Sequence, residues 1–151
     1  MSDAEPPTAD GAADAPPASV LLPTVRWTDA CDQVAAQLRP ADELLVIADD
    51  ASDPVAARRD DESLPDGVEV VLAGEPEGCS GKANAIAAGM EAAEHDRIVW
   101  TDDDFDHPPA WLATLLSDYE RQGPTTEVPF FAGRDPLAVL LEPLYAVGGS
   151  M

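Results

Sequence analysis

Short apolar runs alternate along this chain with polar stretches that carry Gly, Pro and charged residues. Ser19–Leu22 (SVLL), Glu43–Ala48 (ELLVIA), Val68–Ala73 (VEVVLA) and Arg97–Thr101 (RIVWT) have the length and branched content of strands buried on both faces. Between them lie stretches with helical spacing. One runs from Thr28, a plausible cap, to Leu38, where Pro40 stops it. A short helix is expected beyond Pro54. Lys82 to about Glu94 follows the turn-like Gly74–Gly81, and Ala85, Ile86, Gly89, Met90 and Ala93 recur there as one small-residue face. Ala110 to Arg121 forms a further helix, opened by Pro108-Pro109, with Leu112, Leu115, Leu116 and Tyr119 inward. Glu127–Ala132 reads as a fifth strand, and Pro136–Val147 as an apolar helix broken around Pro143. Strands alternating with helices imply parallel pairing and right-handed crossovers. The expected fold is therefore a doubly wound, mostly parallel α/β sheet.

Before Ser19 the pattern is different. Residues 1–18 are rich in Ala, Pro and Asp and lack aromatic side chains, so they bury too little to offset ordering entropy and read as a disordered acidic tail. Residues 19–151 read as one domain. That tail has neither the basic start nor the apolar core of a signal peptide, and no stretch reaches transmembrane length. A cytoplasmic location is expected, with membrane association only through segments beyond those present.

Charge sharpens the picture. The net charge is -22, from 30 acidic and 8 basic residues, only one of which is lysine. Such self-repulsion is tolerable where salt shortens the reach of each charge, which points to a halophilic proteome. It also argues against nucleic acid as a partner, since phosphate neutralisation needs a basic stripe. Cys31 and Cys79 are too few for a disulfide scaffold and lack metal-binding spacing.

The candidate chemistry sits where apolar runs stop. Ile98-Val99-Trp100-Thr101 ends at Asp102-Asp103-Asp104. If the extended chain continues, Asp102 and Asp104 share one side and Asp103 the other, a two-carboxylate claw for Mg²⁺ or Mn²⁺. The competing reading is a solvated acidic run, the usual role of such a stretch. Position favours the claw, because ligands of open α/β sheets bind at the carboxyl ends of strands. Thr24 ends the first strand and Asp49-Asp50 the second, so these groups fall on the same edge. For Asp49 and Asp50 alone, a turn or cap would suffice. Lys82, the sole lysine, opens a helix after Gly78-Cys79-Ser80-Gly81, a place suited to an anion, although the P-loop spacing is absent. The alternative is a chance surface lysine. His107 could touch metal or diphosphate, or serve simply as a polar loop residue. Trp27, Trp100 and Trp111 are expected in the core or a pocket wall.

Three ordered segments, SVLLPT, LLVIADDASD and GCSGKANAIAAGMEAAEHDRIVWTDDDFDHPPAWL, resemble the nucleotide-binding half of family 2 glycosyltransferases of the GT-A, Rossmann-like fold. PFFAGRDPLAVLLEPLYAVGGS is similar to the segment that follows in ceramide-glucosyltransferase-like members, and with the acidic composition the resemblance is of haloarchaeal type. The resemblance implies a nucleotide-diphosphate sugar donor. Asp49 or Asp50 would contact the base, Thr24 would line the base and ribose pocket, and Lys82 would lie near the nucleotide. Asp102-Asp103-Asp104 would be the DxD motif, with Asp102 near the ribose and Asp104 holding Mg²⁺ or Mn²⁺ on the diphosphate. The family's acceptor half, with its general base, has no counterpart before Met151. The expectation is thus a donor-binding half with no catalytic residue assigned and an acceptor left open, a lipid being one option. A nucleotide-sugar-binding module without turnover and an acidic α/β domain with another metal role, such as phosphotransfer, are the alternatives.

Overall fold

Four strands, β1 (Ser19–Pro23), β2 (Glu43–Ala48), β3 (Val68–Leu72) and β4 (Ile98–Trp100), pair in parallel in the order β3-β2-β1-β4. The structure is a computed structural model that describes residues 15–126. Helices α1 (Asp29–Ala35), α2 (Gly81–Ala92) and α3 (Trp111–Gln122) alternate with the strands, and a 3-10 turn covers Pro54–Arg58. This is the doubly wound α/β architecture expected from the apolar pattern. The proposed strand at 127–132 and helix at 136–147 lie outside the described residues.

Both faces of the sheet are apolar because both are covered. Alternation along β1 and β2 sends Val20, Leu22, Leu44, Val46 and Ala48 to one side, where they meet Ala30, Cys31 and Val34 of α1 and Leu112 and Leu116 of α3. Leu21, Leu45 and Ile47 go to the other side and meet Ala85 of α2. Gly89 sets how closely α2 approaches: a Cβ there would sit 2.4 Å from Ile47 Cδ1 and 3.3 Å from Leu21 Cδ2. Within the expected small-residue face, Ala85 and Gly89 are buried, whereas Met90 is 50% exposed. A helix that seats on the sheet through glycine and alanine has only a narrow contact stripe, and Met90 falls off it.

Several boundaries differ from the pattern, each for a local reason. Helix α1 ends at Ala35, and Gln37 and Leu38 tighten into turns bonded to Val34 and Ala35. Thr28 occupies the N-cap position of α1 without a side-chain cap bond, while Ser80 caps α2 by accepting from Ala83 N at 3.2 Å. Pro108 and Pro109 do not open α3. The Pro108 carbonyl instead accepts from Trp111 N at 3.0 Å, and Ala110 takes a φ of 68°, so the helix begins only at Trp111. Trp100 is 60% exposed, not core: it lies in register with Leu21 on a three-residue strand, and α2 packs on β1, β2 and β3. Tyr119, expected inward, is 41% exposed. The contacts of the chain divide it after Ser117, and the described part of the second unit, 118–126, holds the Arg121–Asp118 ion pair and a turn at Gly123.

At the amino ends of the strands the polar groups are consumed by the fold. The buried Asp42 carboxylate accepts from Ala18 N (3.0 Å) and Arg39 N (2.9 Å) and pairs with the Arg39 guanidinium at 2.6 Å. Arg39 also donates to the Ala15 and Pro16 carbonyls, and Arg97 donates to Pro16. Residues 15–18, which composition placed in the tail, are therefore held against the domain, with Ala18 fully buried. Burial by itself would raise the Asp42 carboxyl. Hydrogen bonds from the Arg39 side chain and from the amides of Arg39 and Ala18 outweigh it and hold the carboxyl below its ordinary range. Glu43 beside it accepts from Ser19 Oγ (2.5 Å) and Glu94 N (2.7 Å).

Candidate functional site

The order β3-β2-β1-β4 reverses direction between β1 and β4. In such sheets the crevice outside the carboxyl ends at this switch point is where ligands settle. The chain delivers Thr24 there from β1 and Asp102 and Asp103 from β4, and the ladder continues one step past each strand, through Thr24 N to Ile47 O (2.9 Å) and Thr101 N to Leu21 O (3.1 Å).

Beyond Thr101 the chain turns at Asp103-Asp104, so the extended alternation that would oppose Asp103 to its neighbours does not carry through. Instead Asp103 Oδ2 lies 2.6 Å from Thr24 Oγ1, whose single proton is divided between this carboxylate and the Arg26 carbonyl at 2.7 Å. Thr24 is 7% exposed, which makes it a wall of the crevice and an anchor for the aspartate turn. Asp102 Oδ1 meets Lys82 Nζ at 2.7 Å, with side-chain exposures of 35% and 61%. The one lysine of the chain therefore bridges the start of α2 to the end of β4. Asp104 is exposed and makes no hydrogen bond or ion pair among the described residues.

The exit of β2 is arranged by a residue outside the candidate set. Asp53 Oδ2 accepts from the amides of Asp49 (2.8 Å) and Asp50 (3.1 Å), and Asp50 Oδ1 accepts from Ser52 N at 2.6 Å. The Ser52 bond holds the Asp50 carboxyl below its ordinary range. Asp50 thus spends an oxygen on its own turn, while the Asp49 carboxylate reaches toward the start of α2, 4.0 Å from where a Gly81 Cβ would stand. Asn84 ties α2 to the end of β3, donating to the Gly74 carbonyl at 2.9 Å and the Ala73 carbonyl at 3.3 Å. The sequence signal for Asp53 was present in Asp-Asp-Ala-Ser-Asp, a spacing that lets an aspartate close a turn on preceding amides.

His107 is 4% exposed and serves the architecture. Its Nε2 lies 2.5 Å from Thr101 Oγ1, its amide donates to Gln33 Oε1 at 2.7 Å, and its ring stands edge-on to Trp111 at 4.5 Å. Gln37 completes the clamp, donating to the His107 carbonyl at 3.2 Å and accepting from Leu112 N at 3.0 Å. Gln33 on α1 and Gln37 in the turn that follows it thereby hold the loop that comes after the aspartates. An open groove of about 800 Å³ runs beside this clamp, lined by Gln33, Gln37, Asp106, His107 and Ala113. It lies on the α1 side, and charge and topology, not concavity, place the candidate site at the crevice.

Among the described residues no three His, Cys, Asp or Glu side chains converge into a metal-holding group. Asp102 and Asp104 supply hard oxygen donors from one loop. Carboxylate oxygens are the donor type that Mg²⁺ or Mn²⁺ takes when phosphate and water oxygens complete the shell, the usual way Mg²⁺ is held beside a nucleotide. No described helix is long and apolar enough to cross a membrane.

The model of the family described as Glycosyl transferase family 2 matches residues 28–138, a span that contains Asp49, Asp50, Lys82, Asp102 and Asp104 and begins just after Thr24. No curated protein and no solved structure gives a significant match.

Proposed function

Because the chain belongs to glycosyl transferase family 2, we propose that the crevice between β1 and β4 binds a nucleotide-diphosphate sugar and that these residues form the donor-binding half of a glycosyltransferase. The observation that carries this reading is the meeting of the sole lysine with Asp102 at the switch point. A cation and carboxylates facing one crevice suit a ligand that is itself a diphosphate with a counter-cation.

In this reading Thr24 lines the base and ribose pocket and keeps the aspartate turn in place through Asp103. Asp49 faces the nucleotide, and Asp50, tied to Ser52, shapes the loop around the base. Lys82 approaches the diphosphate from the first turn of α2. Asp102 and Asp104 would hold Mg²⁺ or Mn²⁺, which would supply Lewis-acid stabilisation of the charge on a leaving nucleoside diphosphate. No catalytic base is assigned to these residues. The similarity of residues 129–150 to ceramide-glucosyltransferase-like sequences extends the proposal to a lipid acceptor, met at the cytoplasmic face of a membrane.

Isothermal calorimetry in molar salt tests the donor site. Nucleoside diphosphates should bind with Mn²⁺ present and not without it, because the aspartates repel the diphosphate and one lysine cannot neutralise both. Equal binding in the presence of a chelator would overturn the metal-dependent reading.

A further inference from the structure

Lys82 is the only lysine, yet its ammonium is committed to one of the two carboxylates assigned to the metal. We propose that Lys82 is a resident counter-cation: it neutralises Asp102 while the crevice is free of nucleotide, and a divalent ion gains Asp102 only as a diphosphate draws the ammonium away. The inference rests on the donor-site reading and adds to it a rule for the order and coupling of binding.

The geometry supplies both halves of the exchange. Lys82 stands on the first turn of α2, and its side chain is 61% exposed, so it can leave Asp102 without unpacking the core. Asp102 is the less exposed partner at 35%, next to Asp103, which Thr24 already holds. An ammonium 2.7 Å from Asp102 Oδ1 holds that oxygen, and a divalent ion drawn to the same carboxylate meets its repulsion. The diphosphate removes the conflict, because it offers the ammonium a new anion and the metal its missing oxygen ligands. Metal and nucleotide then favour each other reciprocally, as linkage requires. Asp49, Asp50 and Asp104 are exposed acids at the same carboxyl edge of the sheet, and the resident ammonium offsets part of the negative charge that would otherwise collect cations there.

The test is a titration of the full chain with Mn²⁺, followed by the electron paramagnetic resonance signal of free Mn²⁺, with and without a nucleoside diphosphate. Lys82→Met should bind Mn²⁺ alone about two- to fivefold more tightly than wild type, the range set by losing an exposed ion pair. The tightening that nucleotide produces should shrink by a similar factor. In an Asp102→Asn background the same Lys82→Met change should have no such effect, a double-mutant cycle that separates the specific pair from general charge. Circular dichroism of each variant identifies any loss of fold, and Lys82→Arg, which keeps the pair, should restore the wild-type pattern for Mn²⁺ alone. Unchanged or weaker binding of Mn²⁺ alone by Lys82→Met, with nucleotide-dependent binding intact, would overturn the counter-cation role and spare the donor site. Absence of Mn²⁺ binding in every variant, even with nucleotide, would remove both.

Discussion

The two ends of the sheet treat the same residue type in opposite ways. At the amino end, Asp42 is buried, its carboxylate is satisfied by two amides and a guanidinium, and Glu43 is spent on Ser19 and Glu94. At the carboxyl end, Asp49, Asp50 and Asp104 are exposed, Asp102 rests on a single lysine and Asp103 on a threonine hydroxyl. In a chain with 30 acidic residues, the presence of aspartate says little. In the proposed reading, what separates a structural acid from a ligand-binding one is how many of its acceptor positions the protein itself fills.

The sharpest way to break this contrast is to truncate one acid at each end. Asp42→Ala leaves the Ala18 and Arg39 amides and a largely buried guanidinium without their anion, and should cost about 3 kcal/mol in urea unfolding. Asp104→Ala, with no partner to lose, should stay within about 0.5 kcal/mol of wild type. Comparable losses at the two sites would mean that the carboxyl-end acids are also structural.

Acid titration should resolve the same contrast with a smaller effect. The folded-state carboxyl of Asp42 lies below its unfolded value, so the stability it contributes is complete above the ordinary carboxylate range. That contribution is lost as pH falls through the lowered folded value. Urea midpoints measured between neutral pH and the acid limb should show the loss in wild type. Asp42→Asn should start lower at neutral pH and lose less on acidification, and an identical pH dependence in both proteins would contradict the assignment.

Much of this architecture is legible in the sequence because the strands are continuous apolar runs. ELLVIA has no polar residue after Glu43 to face water, so both of its faces had to be covered, and β2 is the strand buried from Leu44 to Ala48. The carboxyl-edge placement of Thr24, Asp49 and Asp102 follows from topology alone. Less legible were features that depend on long-range partners. Nothing local marks Gln33 and Gln37 as a clamp on residues 107 and 112, some seventy positions away. Trp100 reads as core by type, yet it ends a three-residue strand and stands 60% exposed. Strand alternation points Asp103 away from its neighbours, and a turn at that position hands it to Thr24 instead. Period-two reasoning holds only as long as the backbone stays extended.

The central claim, that the unfilled carboxylates at the β1–β4 crevice complete a metal site with a diphosphate, is met most directly by calorimetry of nucleoside diphosphate binding to Asp104→Ala in molar salt. With Mn²⁺ present, the variant should lose the metal-dependent part of binding while its urea midpoint stays that of wild type. Binding by Asp104→Ala equal to that of the wild-type protein, with the same dependence on Mn²⁺, would contradict the claim.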